Sequence, residues 1–408
     1  MSILEKLESY LKSEHVEIRR KAVTALGEIK SENGVDYLLS ALHDGDPIVR
    51  GTAIFSLGEI ASDRAVEPLF PFLQAKDANI RSGTAVALGK IGSLKAEDPL
   101  IRALNDPDAH VRSCVAASLA KIGSEKSEKL LIRILREAED PDSRRKAITA
   151  LKEVRSERVR QAVLDALSDP DESVRNCAAA AVGEMGIYAA EERLLSLLQT
   201  ESPDTKISVI FALGEIRSEK AVSAIIPFLK SPHRELSQQA ASSLGRIHTP
   251  EAIAELIAVL ESGNQEIKWS LIEALGETHS EEAIVHLMHF VKDRDQDIRW
   301  GVAKSLGMIS SKQSLVPLKD LLKDRQADVR SMAAVSLGHL GFHEAIESLV
   351  QALKDQDPKV SDSAALALAE MGGQTTLKRL QELLPTLDAS LSETVEHTIR
   401  EIQGRLGR

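Results

Sequence analysis

Asp46-Pro47-Ile48-Val49-Arg50-Gly51-Thr52-Ala53-Ile54-Phe55-Ser56-Leu57-Gly58-Glu59-Ile60-Ala61-Ser62 is the pattern on which nearly the whole chain is written. With Gly58 as marker, the equivalent residues are Gly27, Gly58, Gly89, Ala120, Lys152, Gly183, Gly214, Gly245, Gly276, Gly307, Gly338, Ala369 and Arg400. Successive markers are 31 residues apart, except Ala120 and Lys152, which are 32 apart. A fixed period of this size predicts stacked supersecondary units rather than one globular core.

Within a unit, apolar residues fall nine, five and one places before the marker and two after it, as Val49, Ala53, Leu57 and Ile60. Those steps draw one stripe along an α-helix. Leu236, Ala240, Leu244 and Ile247 repeat it; Ile267, Leu271 and Leu275 do so until Thr278 breaks the set. Asp46-Pro47 supplies an N-cap and a first-turn proline. Four places past most markers stands Ser or Thr (Ser31, Ser62, Ser93, Ser124, Ser156, Ser218, Thr249, Ser280, Ser311), read as the N-cap of a second helix. The second stripe is Val222, Ile225, Ile226 and Leu229 in one copy and Ile284, Leu287, Met288 and Val291 in another. Each unit is therefore a helical hairpin that buries its apolar stripes only against neighbours. The long helices of the hairpins are expected to start near residues 16, 47, 78, 109, 141, 172, 203, 234, 265, 296, 327 and 358.

Asp46-Pro47-x-Val49-Arg50, an Ala-rich helix ending Leu57-Gly58-x-Ile60, and then Ser62-x-x-Ala65 resemble the short HEAT-like repeats named for the phycocyanobilin lyases. The resemblance extends over residues 1–408 and implies an all-α superhelix, a solenoid of about 13 hairpins. A fold of this kind serves many functions, so only architecture follows from it.

The unbroken period predicts one continuous array over 1–408, a curved rod on the order of 100 Å long at roughly 10 Å per layer. Residues 1–30 form its N-terminal cap unit, with Ile3, Leu4, Leu7 and Leu11 inward, and 374–408 its C-terminal cap unit, polar at Glu393, Glu396, His397, Arg400, Glu401 and Gln403. Capping at both ends implies a complete array. The extra residue falls within Arg136–Asp142, and the eighth unit carries His233 and Ser237 where the pattern has Asp and Arg.

With 51 Lys plus Arg against 62 Asp plus Glu, a formal charge of −11, the chain disfavours a phosphate backbone. Cys114 and Cys177 share one repeat position two units apart, about 20 Å, too far for a disulfide. Met1–Leu7 already reads as an amphipathic helix rather than a signal peptide, and no apolar run is long enough to span a bilayer. The expected setting is the reducing cytoplasm, without membrane insertion.

The Arg eight places before the marker recurs as Arg19, Arg50, Arg81, Arg112, Arg144, Arg175, Arg299 and Arg330, and Asp often precedes it by four, as in Asp46, Asp77, Asp108, Asp140, Asp171 and Asp295. Such pairs are expected to bind loop carbonyls and link layers as a structural ladder; an anion-binding ladder is the alternative. Glycine at the marker permits close approach or a left-handed terminus, and Ala120 and Ala369 fit the first role alone.

Positions seven and three before the marker lie opposite the buried stripe and are expected to line a concave groove. Most are small or polar, but Ile207 and Phe211 occur together, and Trp269 and Trp300 share a position in adjacent units, with Glu273 and Lys304 one turn on. The tryptophans are read as partner anchors; gap-filling over a neighbouring helix is the competing reading. One His-Glu pair, His343-Glu344, is too few for the di-iron site of the deoxyhypusine hydroxylases, which resemble this repeat, and His279, His286 and His289 are expected to be ordinary histidines rather than ligands. No Cys-x-x-Cys, phosphate loop or Gly-x-Ser-x-Gly occurs, and no catalytic residue, metal or cofactor is assigned. The expected function is a non-catalytic scaffold holding a protein or peptide in the groove. A phycobilin lyase-like subunit is the second reading, with an open-chain tetrapyrrole stacked on the indoles and its propionates on Arg299 or Lys268. Nucleic-acid binding comes last, because Glu273, Asp362 and Glu393 fall in the groove.

Overall fold

The computed structural model describes residues 3–200, 202–387 and 389–406. Among them are 26 α-helices and no strand: thirteen long helices, mostly of 13 or 14 residues, alternate with thirteen that are mostly shorter. The chain is thus an all-α array of helical hairpins. The long helices begin at Val16, Pro47, Ala78, Ala109, Pro141, Glu172, Pro203, Arg234, Lys268, Gln296, Ala327, Pro358 and Ala389. Of the expected starts, only 265 is displaced, to Lys268. There Asn264-Gln265 stands in place of Asp-Pro, and the Asn264 side chain accepts the Glu266 N–H at 3.1 Å, closing a turn that delays the helix. Elsewhere the cap works as the sequence implies: Asp46 accepts the N–H groups of Ile48 and Val49 at 3.1 and 3.0 Å. His233, its counterpart in the eighth unit, makes no such bond.

The Ser/Thr four past the marker caps the following helix at Ser62, Ser124, Ser156, Thr249 and Ser311, but not at Ser31, Ser93 or Ser218. Several of these hydroxyls, whether or not they cap, also reach the layer before. Ser62, Ser218 and Ser311 donate to Glu32, Glu191 and Glu281 of the preceding layer at 2.6, 2.8 and 2.7 Å. One residue therefore ends a turn and ties two layers.

Burial follows the stripe. Val49, Ala53 and Leu57 are fully buried, as are Leu236, Ala240, Leu244 and Ile247 to within a few per cent. Two positions depart from expectation. Ile3 is 66 % exposed because its helix has no layer before it among the described residues, and Met288 is 44 % exposed because it sits on the last turn of a seven-residue helix, past the contact. Met1 and Ser2, read with that first helix, lie outside the described residues.

The marker glycine serves close approach. A Cβ built on Gly58 would lie 2.8 Å from Ala87 Cα, and one on Gly245 2.7 Å from the Ala274 carbonyl oxygen. The facing residue, two before the next marker, is always small: Ser56, Ala87, Ser118, Ser243, Ala274, Ser305, Ser336 or Ala367. Three of these serines reach across, Ser243, Ser305 and Ser336 donating to the carbonyls of Ile210, Ile272 and Ala303 at 2.8, 2.9 and 2.9 Å. The left-handed turn instead falls three residues later, at Ala61, Gly92, Gly123 or His248. Lys152, where the spacing slips to 32, ends its helix one turn early and pairs with Glu184 at 2.7 Å.

The helices gather into two compact units, residues 1–190 and 191–408. The first holds long helices from Val16 to Glu184, the second those from Pro203 onward.

Two outcomes follow from this packing. Leu57→Ala or Leu213→Ala removes a fully buried side chain and costs about 2–5 kcal/mol, with hydrogen exchange rising mainly in the altered hairpin and its neighbours; uniform loss of protection would contradict modular packing. Gly58→Ala is destabilising because its Cβ meets the Ala87 backbone, whereas Gly51→Ala, whose Cβ would find Ile80 at 3.7 Å, raises stability by about 0.5–1 kcal/mol. Paired thermal melts read the opposite signs.

Candidate functional site

The arginine series makes two kinds of bond. Arg19, Arg81, Arg144, Arg299 and Arg330 each donate to carbonyls of the loop before their own helix; the Arg81 Nη1, for example, reaches the Ala75 carbonyl at 2.8 Å. The same five each grip one carboxylate bidentately: Asp44, Asp106, Asp169, Asp324 and Asp355. That carboxylate lies 25 residues on, at the next layer, not four residues back as the pairing in sequence implies. The Asp four back is occupied as the helix cap, so its oxygens face N–H groups instead. The layer-linking Asp also accepts the N–H two residues on, as Asp106 does from Asp108 at 2.9 Å. The guanidinium beside each of Asp44, Asp106 and Asp355 holds its carboxyl below the usual carboxylate range.

Where the next layer lacks that Asp, the rung is shorter. Arg50 bonds the Asp44 and Gly45 carbonyls, and Arg112 those of Asp106 and Pro107, while Ala75 and Ala138 occupy the places a carboxylate would take. Arg175 reaches the Asp169 and Pro170 carbonyls among its partners. In the ninth unit Lys268 replaces Arg and meets Asp293 at 3.0 Å.

On the opposite face of the long helices, within the second unit, the two tryptophans stand in adjacent layers. Trp269 is 40 % exposed, and its indole Nε1 lies 3.4 Å from where a Cβ on Gly301 would be. The ring thus lies across the next helix beside Trp300, with one surface still open. Lys304 Nζ sits 5.9 Å from the Trp300 ring centroid and bonds Glu273 at 2.5 Å. Trp269, Trp300, Glu273 and Lys304 form one cluster. Ile207 and Phe211 do not join it, because the intervening layer presents Gln238 and Ser242; Phe211 is covered instead by the Arg246 guanidinium at 5.8 Å.

A family model for HEAT repeats matches residues 4–86, 66–138, 128–193, 190–276, 253–337 and 315–397. The chain belongs to the HEAT-repeat family. No curated protein sequence matches it. Among solved structures it is similar to yeast importin-β, Kap95p, at 13 % identity and a TM-score of 0.62, covering 98 % of this chain and 67 % of that one. Kap95p described with RanGDP gives 0.58 at 13 % identity, covering 98 % and 66 %. Kap121p bound to the extreme C-terminus of the phosphatase Cdc14p gives 0.53 at 14 %, covering 94 % and 51 %. This HEAT-repeat chain therefore spans about half to two thirds of the length of these neighbours, and the likeness is one of fold.

One feature of this HEAT-repeat face escapes the sequence reading. The position just after the marker carries Glu215, Arg246 and Glu277 in consecutive layers, and Arg246 reaches both carboxylates. Burial pushes the Glu277 carboxyl up, opposed by Arg246. With Arg217, His248, His279 and Met308 these residues line a cavity of about 600 Å³. Alternating charge at 31-residue spacing is the signal that marks this row.

His286 meets Glu261 at 2.6 Å and His289 is exposed; among the described residues no group of three or more His, Cys, Asp or Glu is placed to hold a metal. Both cysteines are free, and burial raises each thiol pKa. Among the described residues no helix is long and apolar enough to cross a membrane.

Ala75→Asp completes the rung at Arg50. We expect a gain of about 0.5–1.5 kcal/mol, kept modest by solvent screening. A carboxyl held below its unfolded value, about 4, stabilises above that pH and loses its effect as the pH falls through the folded pKa. Urea melts are therefore expected to show the full gain at pH 7 and progressively less of it as the pH is lowered below about 4.

Proposed function

We propose that this HEAT-repeat chain is a non-catalytic scaffold that holds a protein or peptide on the exposed face of its long helices. The observation that carries the reading is the Trp269–Trp300 pair: the chain's two tryptophans occupy one register position in adjacent layers, beside a Glu273–Lys304 ion pair. Large aromatic surface left open on a regular face is the composition of an interface anchor. Ile207 and Phe211 add a second apolar pair on the same face two layers earlier, set apart by Gln238 and Ser242. Kap95p, which binds RanGDP, and Kap121p, bound to the C-terminus of a phosphatase, share the fold and support protein binding in general.

The register passes from Gly183 to Gly214 at the ordinary 31 residues, and one continuous array across the two units is part of this reading. So is a cytoplasmic setting, to which two free thiols are suited. The net charge of −11 weighs against nucleic acid. The Asp-Pro-x-Val-Arg form of the repeat keeps a finer resemblance to the phycocyanobilin lyase repeats, with an open-chain tetrapyrrole as the alternative occupant of the indoles.

A partner is to be captured with the intact chain and identified by mass spectrometry, then titrated against Trp269→Ala/Trp300→Ala. The double substitution is expected to weaken binding by more than about 2 kcal/mol, roughly thirtyfold, while barely moving the melting temperature. A large drop in melting temperature with unchanged affinity would show that the rings are packing elements. A shifted visible spectrum on adding a bilin, lost in the same variant, would assign the face to a tetrapyrrole.

A further inference from the structure

The two units differ in the charge of the exposed face of their long helices. In the first unit, the positions seven and three before and one after each marker carry Arg20, Lys90, Lys121 and Arg145 against Glu28, Glu59, Glu153 and Glu184, a balanced set. In the second, the same positions carry two cations, Arg246 and Lys304. Both are already engaged: Arg246 lies between Glu215 and Glu277, and Lys304 bonds Glu273. Beyond Lys304 these rows contain no Lys or Arg, but they contain Asp362, Glu370, Glu393 and Glu401. Glu370 has a neighbour in His339, 3.8 Å away.

Asp362, Glu393 and Glu401 line a cavity of about 630 Å³ together with Leu366, which is 63 % exposed. Arg400 and His397 also line it, and the three carboxylates outnumber these two basic side chains. The face thus pairs open apolar surface, at Trp269 and Leu366, with carboxylates in excess of the cations that answer them. Like charges gathered on one surface raise its potential and are relieved by an opposite charge brought by a partner.

We propose that the occupant of this face is a basic segment of another protein, one that also carries a large apolar side chain. This rests on the scaffold reading above and names the chemistry of its partner. The apolar side chain lies against Trp269 and Trp300, and Lys or Arg enters the cavity at Asp362, Glu393 and Glu401. Trp300 and Asp362 share a register position two layers apart. At about 8–10 Å per layer, that separation is about 16–20 Å, the reach of five or six extended residues at about 3.3 Å each. The segment therefore places its basic residues about five or six positions from its apolar anchor.

The test uses the full chain and two fluorescein-labelled twelve-residue peptides. One has a Phe followed six residues later by a Lys pair; in the other, Glu replaces both Lys. Fluorescence anisotropy is expected to give at least tenfold tighter binding of the Lys peptide at low salt, with the advantage shrinking as salt is raised. Asp362→Asn/Glu393→Gln/Glu401→Gln removes most of that advantage; all three side chains are exposed, so circular dichroism melts are expected to stay unchanged. Equal binding of the two peptides, absence of binding by both, or a full preference surviving in the triple variant overturns the inference. Loss of binding in Trp269→Ala/Trp300→Ala without any charge preference leaves the scaffold reading standing and removes this one. Affinity and charge preference that both survive replacement of the tryptophans overturn both readings, because the apolar anchor is then not at the indoles. A concentration-dependent dimer abolished by the triple substitution would assign the face to a second copy and also overturn the inference.

Discussion

Backbone contact between successive long helices is the constraint on which the rest depends. At Gly58 and Gly245 the neighbouring helix stands so near that a single added carbon would overlap its backbone. Such proximity demands two small residues at these crossings, and the sequence supplies them as a glycine marker and its partner two places before the next marker. Since the crossing has to recur in every layer, the spacing between markers is fixed by geometry. The capping Asp, the buried Leu before the glycine and the left-handed residue after it are all phased from that contact. Serine on the small side adds a hydrogen bond across the crossing, so the closest approach is also a polar tie.

The fold was legible because its determinants are local and repeated. Asp46 caps its own helix and Leu57 points into its own interlayer space, so the unit can be read without knowing its neighbours. The one displaced start, at Lys268, falls where Asn264-Gln265 replaces Asp-Pro in the pattern. What the sequence hid is what one layer does to the next. The carboxylate partner of each arginine lies a layer away, and a nearer Asp in the sequence, already occupied as a cap, masks it. Ile3 and Met288 belong to a periodic stripe yet are exposed, because periodicity gives direction but not whether a neighbour covers that part of the helix.

The candidate site was legible in part for a related reason. Equal register put Trp269 and Trp300 on one face, and the structure sets them with Glu273 and Lys304. Register alone did not separate Ile207 and Phe211 from that cluster; the polar layer of Gln238 and Ser242 does. Nor did single residues reveal the charge of the face, which emerges when the rows are compared unit by unit. Repetition conserves the scaffold, and departures from repetition carry the chemistry that a partner reads.

The incomplete arginine rungs give the first unit an uneven stiffness. Arg81 clamps a carboxylate in the following layer, whereas Arg50 and Arg112 hold loop carbonyls of their own. Pulling along such a stack strains all the interlayer joints alike, but those without the bidentate arginine clasp keep more exposed ion pairs, such as Lys95–Asp63 beside Ala75 and Arg158–Glu125 beside Ala138, which resist shear less. Extension is then concentrated at the seams beside Ala75 and Ala138. A repeat array so built behaves as stiff segments joined by softer springs, and its elastic weak points were placed by two alanines.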